Sequence, residues 1–172
     1  MLIAAGAVTL FGNRETFLPF LRPATPPAWE VYFSPEGGAT QAVVRELGRA
    51  KERVRVQAYS FTSPPIASAL VEASRRGVSV EVILDKSQRS EKYTSADFLA
   101  RAKVPTFIDT AHAIAHNKVI VIDRETVITG SFNFTRAAES RNAENLLILR
   151  SPELAKRYAA NWEAHRAHAE AF

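Results

Sequence analysis

One stretch carries most of the chemical signal in this sequence: His116-Asn117-Lys118, then Asp123, Gly130-Ser131-Phe132-Asn133 and Glu144. Side chains alternate faces along a strand, so His116 and Lys118 share a face if residues 116–123 are extended. Ser131 and Asn133 are also two apart, at the end of a second strand over 126–130. Asp123–Glu125 is too short for a crossover helix, which predicts an antiparallel hairpin. An imidazole, an ammonium, a hydroxyl and an amide then stand on one wall. Asp123 lies an odd seven residues past His116, faces away, and reads as a turn or supporting residue. Glu144 opens the next apolar strand. Its carboxylate can accept a hydrogen bond from one ring nitrogen of His116 and leave the other to react.

Such a wall suits a phosphate. Lys118 supplies a full charge, and Ser131 and Asn133 supply neutral donors for negative charge that develops on phosphoryl oxygens. His116 can serve as nucleophile or general acid. A metal ion fits poorly, because one histidine beside an ammonium is a weak ligand set. The reading therefore assigns the protein no metal and no cofactor. His112 could flank the cleft, but is read with the remaining histidines as bland; His165 and His168, on the terminal helix, are expected to face solvent.

The elements that position these residues follow from periodicity. Trp29–Phe33 alternates like a short strand, and Val43, Val44, Leu47 and Ala50 mark a helix after Gly37-Gly38. A strand runs from Val54 to about Ser60. Pro64-Pro65 opens a second helix that Gly77 closes, and a strand over 78–85 follows. Beyond a polar, basic loop (86–95) come a short helix near 97–103 and a strand near 104–108. Val119–Ile122 and Leu146–Leu149 are continuous apolar runs, expected to be buried on both faces. Ser151-Pro152-Glu153 starts a final helix with Leu154, Tyr158 and Trp162 on its core face. The expected fold is α/β: a mixed, mostly parallel β-sheet sandwiched by helices.

Composition bounds the rest. The 172 residues, 47% hydrophobic and 23% charged, fit one globular domain. With no cysteine, a disulfide framework and a Cys-based zinc site are excluded. A net charge of +4 suits a polyanionic partner. Residues Met1 to Asn13 carry no charge and lead into Pro19, Pro23, Pro26 and Pro27. Residues 1–28 read either as an apolar leader or short anchor with a Pro-rich linker, or as a plain tail; the domain is 29–172. The leader reading favours an exported, periplasmic or membrane-anchored bacterial protein over a cytoplasmic one, and would serve peripheral membrane association.

The pattern His116-x-Lys118, Asp123, Gly130-Ser131-x-Asn133 resembles the HKD signature of the phospholipase D superfamily. At about one in twenty per position, a chance match is on the order of one in ten million or rarer per start point. Glu144 falls where that family keeps a carboxylate supporting the histidine. From Val31 to Leu149, including Gln57–Ile66 and Ile83–Gln88, the chain resembles the small bacterial Nuc-type endonucleases. The resemblance implies that two HKD histidines act on opposite sides of phosphorus. This chain has one motif, so a two-fold homodimer with both motifs at its interface is implied. Also implied is metal-independent phosphodiester cleavage through a phosphohistidine. Two neighbouring imidazoles should titrate as a coupled pair around the reference value of ~6.5 and give a bell-shaped pH profile.

Charge and resemblance favour a nucleic-acid substrate, DNA first and RNA second, cut with low sequence specificity. Candidate backbone contacts are Lys86, Arg89 and Lys92 in the basic loop and Arg136 and Arg141 past the motif. Tyr93, Phe61, Phe132 and Phe134 are candidates for base stacking, although core packing competes for Phe132 and Phe134. The rival readings are a cardiolipin-type lipid phosphodiesterase, a non-catalytic nucleic-acid-binding module and a metal-dependent nuclease.

Overall fold

The computed structural model describes residues 28–172, so residues 1–27 of the leader and linker lie outside it. Eight strands form one sheet: β1 (Trp29–Ser34), β2 (Arg53–Ala58), β3 (Ser79–Asp85), β4 (Thr106–Asp109), β5 (Lys118–Ile122), β6 (Thr126–Gly130), β7 (Glu144–Arg150) and β8 (Glu170–Ala171). Their order is β1-β7-β6-β5-β2-β3-β4-β8. Five helices complete the fold: α1 (Ala39–Arg49), α2 (Pro64–Arg75), α3 (Ala96–Arg101), α4 (Arg136–Ser140) and α5 (Pro152–Arg166).

The sheet is mixed, but not mostly parallel. Among the described residues only β2–β3 and β3–β4 are parallel, and the other neighbours run antiparallel. The reason is connection length. Helices α2 and α3 carry the chain back across the sheet so that the next strand runs parallel, whereas the three-residue turn between β5 and β6 reverses it.

Alternation divides the strand residues between two layers. Val54, Val56, Val80, Val82, Ile120, Ile122 and Ile128 pack with α1 and α2 into the main core. Val119, Val121 and Val127 point the other way and meet Ala155, Leu154 and Tyr158 of α5. Trp162 is fully buried, and its indole N–H donates to the Val56 carbonyl at 3.0 Å. β5 is buried along its whole length. β7 is not, since Leu147 and Leu149 keep partial exposure toward the edge of the sheet.

Caps place the ends. Pro64 and Pro65 start α2, where the missing N–H groups are harmless. At its close Gly77, at φ 91°, donates to the Ser74 carbonyl while Val78 donates to that of Ala73, a Schellman arrangement that turns the chain into β3.

Strand registers bring one set of strand ends to a common edge. Ser34 pairs with Glu144, Ala58 with Lys118 and with Leu84, Asp85 with Asp109, and Gly130 with Leu146. Lys118, Glu144 and the residues just before β5 and after β6 lie along that edge, while Asp123 lies at the other end of β5.

Candidate active site

Loops rather than strands carry half of the predicted wall. β5 begins at Lys118, so His116 and Asn117 precede the strand predicted over 116–123. The ladder stops because β2 ends at Ala58, opposite Lys118. The Asn117 carbonyl still accepts from the Tyr59 N–H at 2.8 Å. β6 likewise ends at Gly130. Ser131 and Phe132 both donate their backbone N–H to the Asn145 carbonyl at 3.1 Å, and Asn133 sits on the turn beyond. The alternation argument therefore does not apply to 131–133.

Lys118 is buried, and its ammonium donates to the His116 carbonyl at 2.9 Å. It lies 5.1 Å from the centre of the Tyr59 ring, within cation–π range. The same ring packs on His116 at 4.6 Å between centroids. Tyr59 thus orients both groups, and the sequence reading missed it. Its one signal was its place at the end of β2, beside Lys118 in the register. Burial depresses the Lys118 pKa below the usual ammonium range, and the Glu144 carboxylate opposes that shift.

Asn133 is partly buried. Its side-chain oxygen is buried with no hydrogen-bond partner. An orphaned buried acceptor costs about 1–3 kcal/mol, and what satisfies it is a donor such as a hydroxyl or N–H, not a phosphoryl oxygen.

Glu144 and Ser131 make contacts within the protomer that the sequence reading did not foresee. Within the protomer Glu144 makes no hydrogen bond to His116. β7 is separated from β5 by β6, about 9–10 Å at ordinary strand spacing. Its carboxylate accepts from the Asn142 amide at 3.2 Å and contributes its field to Lys118. The Ser131 hydroxyl accepts from the Asn145 N–H at 3.1 Å and holds β6 to β7.

Asp123 lies at the β5–β6 turn, at the opposite end of β5 from Lys118, with φ 54°. Its carboxylate accepts from the backbone N–H groups of Lys51, Glu52 and Arg53, at 2.8 and 2.9 Å for the last two. It fastens the hairpin to the start of β2. Gly130 is required where it stands: at φ 145°, an added Cβ would lie 2.3 Å from the Asn145 carbonyl oxygen.

The predicted backbone contacts separate into two groups. Arg136 and Arg141 line an open groove of about 610 Å³ with Tyr93, Ala137 and Ser140. α4, which carries Arg136, starts three residues after Asn133. Lys86 and Arg89 are tied to the β4 side, Lys86 by its bond to the His112 carbonyl at 3.0 Å and Arg89 by its pair with Glu170 at 2.9 Å. The Lys92 ammonium lies 5.5 Å from the Tyr93 ring centre. Phe61, Phe132 and Phe134 are fully buried, so they pack the core and cannot stack on bases. Tyr93, 71% exposed, remains available.

His165 and His168 also correct the sequence reading. His165 is largely buried while His168 keeps 36% exposure, and both converge with His112 on the buried carboxylate of Asp109. The short pairing of β8 with β4 folds the C-terminal segment back, and two residues of strand left no pattern to detect.

The Cardiolipin synthase, PLD-like domain family matches residues 43–166. That span contains the whole wall. The chain belongs to the phospholipase D superfamily. A phospholipase D from Rickettsia felis is 47% identical over 130 residues, 76% of this chain and 65% of that protein. A mitochondrial cardiolipin hydrolase from Chlamydomonas reinhardtii is 31% identical over 108 residues, 63% of this chain and 48% of the relative. The crystal structure of Nuc from Salmonella typhimurium, a phospholipase D family member, superposes with a TM-score of 0.82 at 37% identity, covering 86% of this chain and 99% of Nuc. The matched span contains His116, Lys118, Asp123, Gly130, Ser131 and Asn133. Here they divide into the wall (His116, Lys118, Asn133) and its supports (Asp123, Gly130, Ser131).

Proposed function

We propose that the protein is a phosphodiesterase that acts as a non-specific endonuclease on DNA, with RNA as the second candidate. The observation that carries this reading is an exposed imidazole, His116, whose backbone carbonyl accepts from the buried Lys118 ammonium. The basic groove of Arg136 and Arg141, with exposed Tyr93, supports a polyanionic strand as substrate. The likeness to Nuc supports the same class.

In this scheme neutral His116 attacks phosphorus, and the P–O bond to the leaving group breaks. The partner's His116, protonated, gives its proton to the leaving oxygen and then takes one from water, which hydrolyses the phosphohistidine. The Lys118 ammonium and the Asn133 side-chain N–H of both subunits donate to the non-bridging oxygens. No metal ion enters these steps. Two imidazoles in opposite protonation states require a bell-shaped pH profile around neutrality.

A second reading is a lipid phosphodiesterase. Relatives named phospholipase D and cardiolipin hydrolase support it, as does edge strand β1, which leaves Trp29 63% and Phe33 65% exposed. An exported or membrane-anchored location would be compatible with either substrate. Wild type and His116→Ala should be assayed in excess EDTA on plasmid DNA, single-stranded oligonucleotides and anionic phospholipid vesicles. Cleavage of DNA by wild type alone is the expected result. Lipid turnover without DNA cleavage would select the second reading, and loss in EDTA restored by Mg²⁺ would defeat the metal-free scheme. A folded wild type that retains DNA and cuts none of these would point to a binding module.

A further inference from the structure

We propose that Asp109, His112, His165 and His168 form a transition-metal site of the zinc class, separate from the catalytic wall, which clamps the C-terminal segment to the loop leading into His116. Each residue presents one ligand atom, and the four atoms lie within 4.8 Å of one another. Asp109 Oδ2 stands 2.7 Å from His165 Nδ1 and 3.3 Å from His168 Nε2, while Oδ1 stands 3.0 Å from His112 Nδ1. Donors about 2.0–2.1 Å from a tetrahedral zinc ion are about 3.3 Å apart. Shifts of about 1 Å, within the reach of two partly exposed rings, complete the geometry.

The chemistry of the set selects the ion. Three imidazoles and one carboxylate are borderline nitrogen and oxygen donors that suit Zn²⁺ or Co²⁺. Mg²⁺ and Ca²⁺ need more oxygens than a single carboxylate offers. Four protein ligands make a closed site, which is the structural rather than the catalytic pattern. The carboxylate is fully buried, whereas the His112 and His168 side chains are 47% and 36% exposed, leaving a path from solvent.

The ligands come from three separate segments. Asp109 ends β4, His112 lies in the loop four residues before His116, and His165 and His168 flank the end of α5 ahead of β8. Support surrounds them. The N–H of Ala111 donates to Asp109 Oδ1 at 3.1 Å, the N–H of Ala115 to Asp85 at 2.7 Å, and Lys86 holds the His112 carbonyl. Each imidazole would bind as the neutral base, with its remaining proton on the other ring nitrogen. The Arg89 charge nearby is paired with Glu170 and does not oppose a cation directly.

Calorimetric titration of the full chain with Zn²⁺ tests the site without reference to activity. Expected are about one ion per chain, micromolar or tighter affinity, and a melting temperature several degrees higher with Zn²⁺ but not with Mg²⁺. Co²⁺ should give the visible absorption of a tetrahedral site. His168→Gln and, separately, His112→Gln change partly exposed rings and should weaken binding at least tenfold with an unchanged circular dichroism spectrum. His116→Ala should bind as wild type does. Absence of near-stoichiometric binding to wild type overturns the proposal, as does unaltered affinity in both glutamine variants. Loss of binding in His116→Ala would place the ion at the wall instead and would equally overturn it.

Discussion

Lys118 is held where its charge is expensive and useful. Burial lowers its pKa, so the folded state binds that proton less tightly than the unfolded chain does. The sign follows: the buried charge costs stability at neutral pH, and the cost is relieved as pH rises through the folded and then the unfolded value. Lys118→Met should therefore keep or raise the melting temperature while cleavage falls about 10²–10³-fold. Thermal melts beside single-turnover cleavage check this, and a large drop in melting temperature would show that the ammonium is structural. Asp109 has the opposite sign. Burial alone would raise its carboxyl, but hydrogen bonds from His165, His112 and His168 outweigh burial and hold it well below the usual carboxylate range. Its contribution is fully present above the unfolded value near ~3.9 and is lost as pH falls toward the folded one. Metal-free Asp109→Asn should be less stable than wild type at pH 6, with a shallower loss between about pH 4 and pH 2. Acid melts of the two proteins would show it, and parallel curves would remove the carboxylate from the account.

At the scale of elements, two supports of the motif act through strands rather than on phosphate. Asp123 satisfies backbone donors at the start of β2 from the turn between β5 and β6. Asp123→Ala should cost about 1.5–3 kcal/mol, and Asp123→Asn less, because Asn keeps an acceptor and tolerates positive φ. Turnover in the folded fraction should stay near wild type. A loss of kcat without loss of stability in urea melts would contradict this assignment. Gly130→Ala drives a Cβ against the β7 backbone and should lower stability and activity together, since Ser131 and Asn133 follow that strand. The same elements show what the sequence could disclose. β5 was legible because its β-branched run has one solution, burial on both faces of a central strand. The hairpin was legible because three residues cannot hold a crossover. The balance of the sheet was not, because the partner of β1 is fixed by β7, distant in sequence. For the same reason, reading Ser131 from strand alternation failed: it lies where the chain leaves the ladder. Tyr59 and the Asp109 cluster escaped because their neighbours come from segments about 50 residues apart, and no local spacing encodes such contacts.

At the scale of the whole molecule, the question is whether one protomer suffices. A protomer contains one wall, with one exposed His116, and no described residue hydrogen-bonds its ring to fix a tautomer. His112 and His165 are committed to Asp109, and so is His168, at 3.3 Å. None of the described histidines is thus free to act as the second acid at the wall. The proposed chemistry needs that second imidazole opposite the first, so it must come from another copy. This gives a quantitative expectation. When wild type and His116→Ala are unfolded together, mixed in equal amounts and refolded, about half of the dimers are hybrids with a single imidazole. If both histidines are required, only the wild-type dimers cut DNA, and activity falls to about a quarter of that of the same total protein as wild type. If one histidine per dimer were enough for full cleavage, the mixture would keep about three quarters, and independent protomers would keep about half. Plasmid nicking across a series of mixing ratios separates the three, because the first case follows the square of the wild-type fraction and the last follows it linearly. A linear series would dismiss the shared site while leaving the wall and its residues in place.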